Sequence, residues 1–468
     1  MSALSIQGVS SSAGKSLVTT GLARAFRRRG IRVVPFKAQN MSNNARVVSG
    51  GEIGVAQYLQ ALAAGVQPDV RMNPVLVKPE GDDRSQLVLL GRVDRSLSRA
   101  SWLERPPSLW PVVESALREL LAEYELVLLE GAGSPAETNL RASDLANMRA
   151  AHAAASPVLL VADIDRGGAF AHLHGTWSLV TDADRALLRG FVLNRFRGDP
   201  ALLAPAPQEL EDATGMRYLG LLPFVDHGLP DEDGAATPRP RPDGFTVGVV
   251  RYPTASNLDE LKRLEQVADV TWIGRAEDVD RPALVILPGS KHVAADLDWL
   301  RDTGIATRIV ARADAGRPVL GICGGLQMLG GEIRDAAGVD GTRRGLGLLP
   351  VTTVFGAAKR VDVGRLRLGA LAPPFAALTG LEVDVYDIRH GETTAVDGAA
   401  AVDAGGRAFQ VGAVLGVASH GALDDPTVLA ALVGARPARD LEAVFEGLAD
   451  LVEARLDVDL LARMAGVA

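Results

Sequence analysis

The chain has 468 residues, of which 47% are hydrophobic, and it carries a formal net charge of −8. This length exceeds the usual size of one domain, so we expect two or three domains with sizeable cores. The negative charge argues against a nucleic-acid-binding protein, because such proteins depend on cationic contacts to phosphates. The single cysteine, Cys323, excludes an intrachain disulfide and favours a reducing compartment.

The first residues lack the basic region and the long apolar run of a secretory signal, and no apolar stretch is long enough to cross a membrane. We therefore expect a cytoplasmic protein without a membrane or nucleic-acid partner, and a homo-oligomer is compatible with this reading.

The first half of the chain alternates short apolar runs with helical patterns, which is typical of a parallel α/β sheet. A helix is predicted over 16–30, where apolar residues recur on one face. Strands are predicted over 3–7, 32–36, 126–130, 157–162 and 190–194.

A phosphate-binding loop is predicted directly after the first strand. The segment 8–16 ends in Gly-Lys-Ser, although its first glycine is one residue further away than in the standard P-loop spacing. Small residues allow backbone amides to surround phosphate oxygens, and the helix that follows adds its dipole. Lys15 is expected to neutralise phosphate charge, and Ser16 to offer a hydroxyl to Mg²⁺. The predicted nucleotide-binding residues are Gly8, Ser11, Gly14, Lys15, Ser16 and Lys37.

Polar side chains follow the other strands of this half. Glu130 ends the strand 126–130 and precedes a glycine-rich turn, so it is a candidate metal ligand together with Ser16. Lys37 begins a polar segment after the second strand, where it could reach a phosphate or an acyl phosphate. Further candidates for substrate binding are Gln39, Asn40, Asn73, Lys78, Asp163 and Asp165.

The composition changes to Pro, Asp, Gly and Ala around 230–244, which predicts a linker between domains at 1–229 and 245–468. A second α/β pattern follows, and the tail from Asp440 repeats apolar residues at helical spacing. We expect this tail to pack on the second domain. Strands are predicted over 246–250, 270–273, 283–287, 318–322, 383–388, 407–411 and 414–418.

Cys323 lies between a short apolar run and the glycine-rich start of a helix, a setting that favours a nucleophilic thiol over a buried structural one. Such a thiol needs a base and an oxyanion hole. His420 follows a predicted strand and is the preferred base, while His390 and His292 are rivals. The candidate oxyanion donors are the backbone amides of Gly289, Ser290 and Gly324.

Two resemblances follow from these motifs. Gly-Ile-Cys-Gly-Gly-Leu-Gln around Cys323, with Pro-Gly-Ser-Lys upstream and His-Gly downstream, resembles a class I glutamine amidotransferase domain. The first half is similar to dethiobiotin-synthetase-like ATP-binding domains. Together they resemble the cobyric acid synthase family over essentially the whole chain, and the matching stretches are 35–42, 72–79, 130–137, 163–168 and 194–199. The fold implied is α/β, with two doubly wound parallel-sheet domains.

The resemblance implies a glutamine- and ATP-dependent amidation of the b, d, e and g carboxylates of the corrinoid adenosylcobyrinic acid a,c-diamide, giving adenosylcobyric acid. It implies that Cys323 attacks the glutamine amide to form a thioester, that His420 transfers the proton, and that ATP with Mg²⁺ activates the substrate carboxylate as an acyl phosphate. Many class I amidotransferases carry an acid two residues after the histidine, but Ala422 stands there, so Asp424 is the candidate for orienting His420.

Other functions remain open at this point. A related synthase would amidate only the a and c carboxylates of cobyrinic acid. A peptidoglycan-amidating glutaminase would divide the two activities between separate chains. Outside amidation, the first half could be a P-loop ATPase switch with an inert second half, or the protein could be a corrinoid-binding scaffold.

Overall fold

The computed structural model describes residues 2–80, 85–100, 106–230, 241, 244–396 and 401–467. The predicted linker at 230–244 lies mostly outside these residues. In the described part of the chain, no helix is both long enough and apolar enough to cross a membrane.

The first half of the chain builds a six-stranded parallel sheet with strand order β12-β11-β10-β1-β9-β2. Strand β1 lies in the middle, with Gly8 beside Val161 of β10 and Ile6 beside Glu130 of β9. The strands of this half are β1 (Ala3–Gly8), β2 (Val33–Phe36), β3 (Gln39–Met41), β4 (Ala45–Val48), β5 (Gly51–Gly54), β6 (Val75–Pro79), β7 (Ser85–Leu89), β8 (Arg92–Val93), β9 (Leu126–Glu130), β10 (Val158–Asp163), β11 (Leu188–Phe196) and β12 (Arg217–Pro223).

Helices cover this sheet, and its strands are buried because they pack on both faces. Two small additions, the sheet β3-β6-β7-β8 and the hairpin β4-β5, extend from the side that faces the second half. The helices are α1 (Lys15–Arg28), α2 (Val55–Ala64), α3 (Arg95–Arg99), α4 (Pro106–Glu123), α5 (Met148–Ala153), α6 (Ala169–Leu179), α7 (Asp182–Arg185) and α8 (Ala206–Thr214).

The second half builds another six-stranded sheet, with order β15-β13-β16-β18-β24-β23, in which only the β23–β24 pair is antiparallel. Its strands and those of two smaller sheets, β14-β17 and β20-β19-β21-β22, are β13 (Phe245–Val250), β14 (Ala255–Ser256), β15 (Ala268–Ile273), β16 (Leu284–Leu287), β17 (Gly289–Ser290), β18 (Val319–Ile322), β19 (Glu332–Arg334), β20 (Arg343–Arg344), β21 (Val351–Arg367), β22 (Glu382–Ala395), β23 (Ala408–Val411) and β24 (Val414–Val417).

The remaining helices are α9 (Leu261–Leu264), α10 (Val293–Asp302), α11 (Ile305–Asp314), α12 (Gly324–Leu329), α13 (Pro426–Val433), α14 (Leu441–Arg455) and α15 (Val458–Ala465). Short 3₁₀ turns cover Val70–Met72, Thr138–Ser143, Pro200–Leu203, Leu258–Glu260, Ala276–Asp280, Ala376–Leu378 and Ala422–Asp424. The predicted fold class, two α/β units with parallel sheets, is confirmed. The long antiparallel pair β21–β22 was not expected from the sequence, which predicted only the segment 383–388 of β22.

The expectation that the tail packs on the second domain is wrong. Helix α14 packs against α1 of the first half, where Phe445 and Val452 join the same buried core as Leu22 and Phe26. Gly21 allows this close approach, since a Cβ there would lie 2.7 Å from a methyl group of Val452. The helical spacing predicted an amphipathic helix, but it carries no information about which surface the helix covers.

The two halves of the chain meet in a buried apolar cluster. Ala45, Val47, Leu76 and Val88 come from the small strands of the first half, while Tyr386 and Ile388 come from β22 of the second. The small strands of the first half therefore connect the two large sheets.

Candidate functional site: a thiol centre and a phosphate loop

The thiol centre is built at the turn between β18 and α12. Cys323 has φ 52° and ψ −105°, a strained conformation that turns the chain sharply from strand to helix. Its backbone amide donates to the carbonyl oxygen of Val417 in the neighbouring strand at 2.7 Å, which fixes the turn to the sheet. The residue is buried. This geometry places the sulfur at the N-terminus of a helix, where the dipole favours negative charge.

His420, the predicted base, is the histidine that the structure brings to this thiol. Its ring is buried and hydrogen-bonds the side chain of Cys323. Burial lowers the pKa of His420, but the charge of Cys323, its hydrogen bond and the carboxylate of Glu260 outweigh burial and raise the pKa to about 10. The imidazolium form of His420 is therefore favoured.

Glu260, not Asp424, orients His420. Oε1 of Glu260 lies 2.8 Å from Nδ1 of His420, and Oε2 accepts from the backbone amide of Gly421 at 3.0 Å. Asp424 instead forms an ion pair with Arg46. The prediction of Asp424 is thus wrong, because the 3₁₀ turn that carries Glu260 crosses over to His420 from a distant part of the sequence. An adjacent pair of acids, Asp259 and Glu260, flanked by leucines was the signal that the sequence offered.

The rival histidines lie elsewhere. His292 hydrogen-bonds Asp340, with Nδ1 and Oδ1 3.2 Å apart. Burial, together with nearby cations, lowers the pKa of His390 to about 4. The backbone carbonyl oxygen of His390 accepts a hydrogen bond from the side chain of Gln327, in α12, at 3.1 Å. His390 therefore contacts the helix that follows Cys323 through its backbone.

The candidate oxyanion donors lie beside the thiol. A Cβ on Gly324 would lie 2.7 Å from the backbone nitrogen of Ser290, and one on Gly289 would lie 2.7 Å from Cε1 of His420. Glycine at these positions therefore allows three groups to approach one another closely: the first residues of α12, the backbone of β17 and the imidazole ring of His420. Ser290 is held by Asp296, whose Oδ2 accepts from its hydroxyl at 2.6 Å. Their role as oxyanion donors stays a prediction.

The phosphate loop follows β1 as expected. Gly14, with φ 101°, precedes α1, and the side-chain amide of Asn194 holds the loop by donating to the carbonyl oxygen of Ala13 at 2.9 Å. Nζ of Lys15 donates to the carbonyl oxygens of Ser10 at 3.1 Å and Gly133 at 3.3 Å. These two hydrogen bonds hold the Lys15 ammonium group between the backbone of the phosphate loop and the turn that contains Gly133. Gly8 is buried at the end of β1, whereas Ser11 is exposed at the loop tip.

Glu130 is the centre of a polar cluster next to this loop. The Ser16 hydroxyl and the Lys37 ammonium each donate to Oε1 of Glu130 at 3.0 Å, and the amide of Gln60 donates to Oε2 at 2.5 Å. The carboxylate is buried. Sequence reasoning missed Gln60, because a glutamine inside an apolar helical pattern gives no distinctive signal.

The donor set beside the loop fits Mg²⁺. Ser16 and Glu130 offer a hydroxyl and a carboxylate oxygen, and Mg²⁺ prefers a few protein oxygens completed by phosphates and water. Among the residues that the structure describes, no three His, Cys, Asp or Glu side chains are grouped to hold a metal by themselves.

The remaining predicted substrate residues are distributed around the loop. Asp163 ends β10 on the other side of β1 and pairs with Arg195 at 2.9 Å, while Asp165 pairs with Arg197 at 3.2 Å. Gln39 is half-buried in β3, and Asn40 donates to Oε1 of Gln57 at 3.1 Å. Their binding of substrate stays a prediction.

The structure gives Asn73 and Lys78 other partners. The amide nitrogen of Asn73 donates to the carbonyl oxygen of Lys37 at 3.1 Å, and its oxygen accepts from the Gly54 amide at 3.0 Å, so Asn73 holds the backbone that positions Lys37. Lys78 is buried at the boundary between the halves, where Glu52 binds it and Lys359. Burial lowers the pKa of Lys78 to about 8, and the negative charge of Glu52 offsets part of this effect.

Comparison with known proteins agrees with this arrangement. Residues 4–229 match the CobQ/CobB/MinD/ParA nucleotide binding domain, and residues 246–427 match the CobB/CobQ-like glutamine amidotransferase domain. Proteins named cobyric acid synthase align over nearly the whole chain. The chain belongs to the cobyric acid synthase family. Like its family, it is a glutamine-dependent amide ligase.

Three of these relatives show the extent of the similarity. The protein of Polaromonas sp. strain JS666 is 49% identical, over 97% of this chain and 97% of its own length. That of Polaromonas naphthalenivorans strain CJ2 is 52% identical, over 96% of each chain. That of Variovorax paradoxus strain S110 is 50% identical, over 97% of this chain and 98% of its own.

Proposed function

We propose that the protein amidates the b, d, e and g carboxylates of adenosylcobyrinic acid a,c-diamide, using glutamine as the nitrogen donor and ATP as the activating reagent. The relatives named cobyric acid synthase support the substrate class and place the reaction in cobalamin biosynthesis. The observation that carries the mechanism is the presence of two chemically distinct sites in one chain, the thiol with His420 and Glu260, and the phosphate loop with Glu130.

At the thiol centre, the Cys323 sulfur attacks the side-chain carbonyl carbon of glutamine. Backbone amides of Gly289, Ser290 and Gly324 stabilise the oxyanion of the tetrahedral intermediate. His420 donates its proton to the departing nitrogen, so that the C–N bond breaks and ammonia leaves a glutamyl thioester. Water, deprotonated by the now neutral imidazole, hydrolyses the thioester to glutamate and restores the thiol.

At the phosphate loop, a substrate carboxylate oxygen attacks the γ-phosphorus of ATP, and ADP leaves. Lys15 and Lys37 offset the charge that develops on the phosphoryl oxygens, while Ser16 and Glu130 are the groups that would hold Mg²⁺. The metal ion, when bound, neutralises phosphate charge and orients the leaving group. Ammonia then attacks the acyl phosphate, and inorganic phosphate leaves with formation of the amide.

Mass spectrometry of the product formed from the diamide, ATP and glutamine tests the proposal, because it counts the amides added. Four added amides are expected. Two added amides on cobyrinic acid, with none on the diamide, would identify the related a,c-diamide synthase activity. ATP hydrolysis without any amidation would identify a P-loop switch instead.

The variant Cys323→Ser separates the two sites. It should abolish amidation supported by glutamine and retain amidation supported by ammonium salts, because the acyl phosphate site is untouched. Loss of both activities would contradict the proposal that ammonia is released at one site and the carboxylate is activated at the other.

A further inference from the structure

The segment 43–46 of the first half contacts the 3₁₀ turn that carries Glu260. Nδ2 of Asn257 donates to the carbonyl oxygen of Ala45 at 2.9 Å, and the backbone amide of Leu258 donates to Oδ1 of Asn44 at 3.0 Å. These bonds join a strand of the nucleotide-binding half to the residues immediately before the catalytic acid. Both of these acceptors, Ala45 and Asn44, belong to the first half of the chain.

Arg46 continues this contact with its side chain. Only 11% of the side chain is exposed, and its Nε lies 2.8 Å from Oδ2 of Asp259. The guanidinium also pairs with Asp424 and lies 4.9 Å from the ring centroid of Tyr386. Arg46 therefore bridges three elements of the glutaminase half: the turn 258–260, the turn 422–424 and strand β22.

The residues that Arg46 contacts are direct neighbours of Glu260 and His420. Asp259 precedes Glu260 in the chain, so a shift of Asp259 displaces the carboxylate that binds His420. Tyr386 stacks on the His420 ring, with centroids 5.5 Å apart, and the two residues exchange backbone hydrogen bonds at 3.0 and 2.9 Å. The guanidinium thus fixes the neighbours of both Glu260 and His420.

We propose that Arg46, a residue of the nucleotide-binding half, is a positioning residue for the glutaminase centre of the other half. It holds Asp259 and Tyr386 so that Glu260 and His420 stay in line with the thiol. This inference rests on the assignment of Cys323 and His420 made under the proposed function. It goes further by making the glutaminase centre depend on a side chain from outside its own sheet.

The charges around Asp259 explain why a cation is required. Burial raises the pKa of Asp259, as do the nearby carboxylates Asp424 and Glu260, whereas Arg46 lowers it. Arg46 and Asp259 line a cavity of about 650 Å³, and the other cations that line it have partners of their own. Lys262 pairs with Glu265 at 3.2 Å.

Arg263, the other nearby cation, donates to the carbonyl oxygen of Arg439 at 3.0 Å. Tyr58 also lies beside the guanidinium of Arg46, with its ring centroid 5.9 Å away. Without Arg46, the buried carboxylate of Asp259 would lose its ion-pair partner while Asp424 and Glu260 stay nearby, so the turn that carries Glu260 would have to move or Asp259 would take up a proton.

The test compares Arg46→Ala with Arg365→Ala in the full-length protein. Arg365 lines the same cavity but is largely exposed and pairs with Glu382 and Asp384, so it is a matched control. We expect Arg46→Ala to lower kcat for glutamine hydrolysis by about tenfold or more, with KM for glutamine changed by less than about threefold. Ammonia-supported amidation should stay within about twofold, and the control should match the wild type.

Two further readouts distinguish positioning from general stability. Adding Asp259→Asn to Arg46→Ala should restore most of kcat, because it removes the unpaired carboxylate. The single variant Arg46→Ala should also regain activity as the pH falls and Asp259 is protonated. Arg46→Lys, which keeps the charge but cannot bind both carboxylates, should fold normally and show a smaller loss of kcat; it carries the test if Arg46→Ala fails to fold.

An unchanged kcat for glutamine hydrolysis in Arg46→Ala or, if that variant does not fold, in Arg46→Lys would overturn the proposal. An equal loss of glutaminase and ammonia-supported activities would also overturn it, since Arg46 would then serve only to join the two halves. Cys323→Ala is measured in parallel. If it still hydrolyses glutamine, the assignment of the thiol fails, and this outcome is distinct from a failure of Arg46.

Discussion

Glu260 binds His420 with one carboxylate oxygen and the backbone amide of Gly421 with the other, at 2.8 and 3.0 Å. The ring and the chain next to it are thus held by the same side chain. Because Nδ1 faces Glu260, the other ring nitrogen is left for the Cys323 thiol. The residues of the proposed catalytic set, Cys323, His420 and Glu260, therefore all belong to the second half, although Glu260 precedes His420 by most of the length of that half.

Replacing Glu260 by Gln should lower kcat for glutamine hydrolysis by up to about 10⁴-fold, the loss seen when the acid of a catalytic triad is replaced by its amide. The amide keeps the shape but does not stabilise the imidazolium. Steady-state assays of glutamate release measure this effect, and ammonia-supported amidation should be unaffected. Glu265→Gln, which alters an acid paired with Lys262 nearby, is the control. A kcat within threefold of the wild type in Glu260→Gln would exclude Glu260 from the centre.

The charge of His420 should couple stability to pH. Its pKa in the folded protein is raised to about 10, because Cys323 and Glu260 outweigh burial. A raised pKa means that the folded state binds the proton more tightly than the unfolded state. The stabilisation is therefore complete below the ordinary pKa of 6.5 and is lost as the pH rises towards 10.

Urea unfolding of the wild type and of Cys323→Ala between pH 6 and 10 measures this contribution. The difference in free energy of unfolding between the two should shrink as the pH rises through this interval. In an NMR titration of the histidine ring, His420 of the variant should lose its proton at a lower pH than in the wild type. A pH-independent stability difference would contradict the coupling.

Replacing Glu130 by Gln should abolish amidation with either nitrogen source. The neutral amide weakens the contacts with Ser16 and Lys37 and removes the anionic oxygen that would bind Mg²⁺. The predicted loss of ATP-dependent amidation is about 10²-fold or more, with basal glutamine hydrolysis retained. Glu125→Gln, at the opposite end of the same strand and exposed, should behave as the wild type. Retained amidation in Glu130→Gln would remove this residue from the phosphate site.

The C-terminal tail should stabilise the first half of the chain, to which the phosphate loop belongs, rather than the second half, which it directly follows in sequence. Phe445→Ala removes a fully buried ring from the core shared with α1 and is expected to cost about 3–5 kcal/mol of unfolding free energy. Asp450→Asn, which affects an exposed ion pair with Arg28, should cost less than about 1 kcal/mol. Urea unfolding, followed with probes in each half, should show the loss in the first half. A loss confined to the second half would contradict the observed packing.

Glu52 should be essential for the boundary between the halves. It binds the buried ammonium groups of Lys78 and Lys359, which come from different halves of the chain. Glu52→Gln leaves these charges uncompensated and should destabilise the protein by roughly 3–5 kcal/mol. Adding Lys78→Met should recover part of that loss, which thermal and urea unfolding would measure. No recovery in the double variant would show that the ion pair is not the cause.

Local signals in the sequence determined much of the functional site. Gly-Lys-Ser after a strand placed Lys15 and Ser16, and the strand–cysteine–glycine pattern placed Cys323, because both depend on a turn whose backbone demands small residues within a few positions. Alternating apolar runs and helical patterns determined the α/β class for the same reason. Elements of this kind are encoded by neighbours in the chain.

The tertiary structure alone decided which distant groups meet. Glu260 rather than Asp424 orients His420, Gln60 binds Glu130, and the tail packs on α1, because these contacts depend on how sheets and helices cross in space. Residue spacing along the chain carries no information about such crossings. Arg46 shows this most clearly, since a largely buried arginine in a short strand becomes significant only where it contacts Asp259 from the other half.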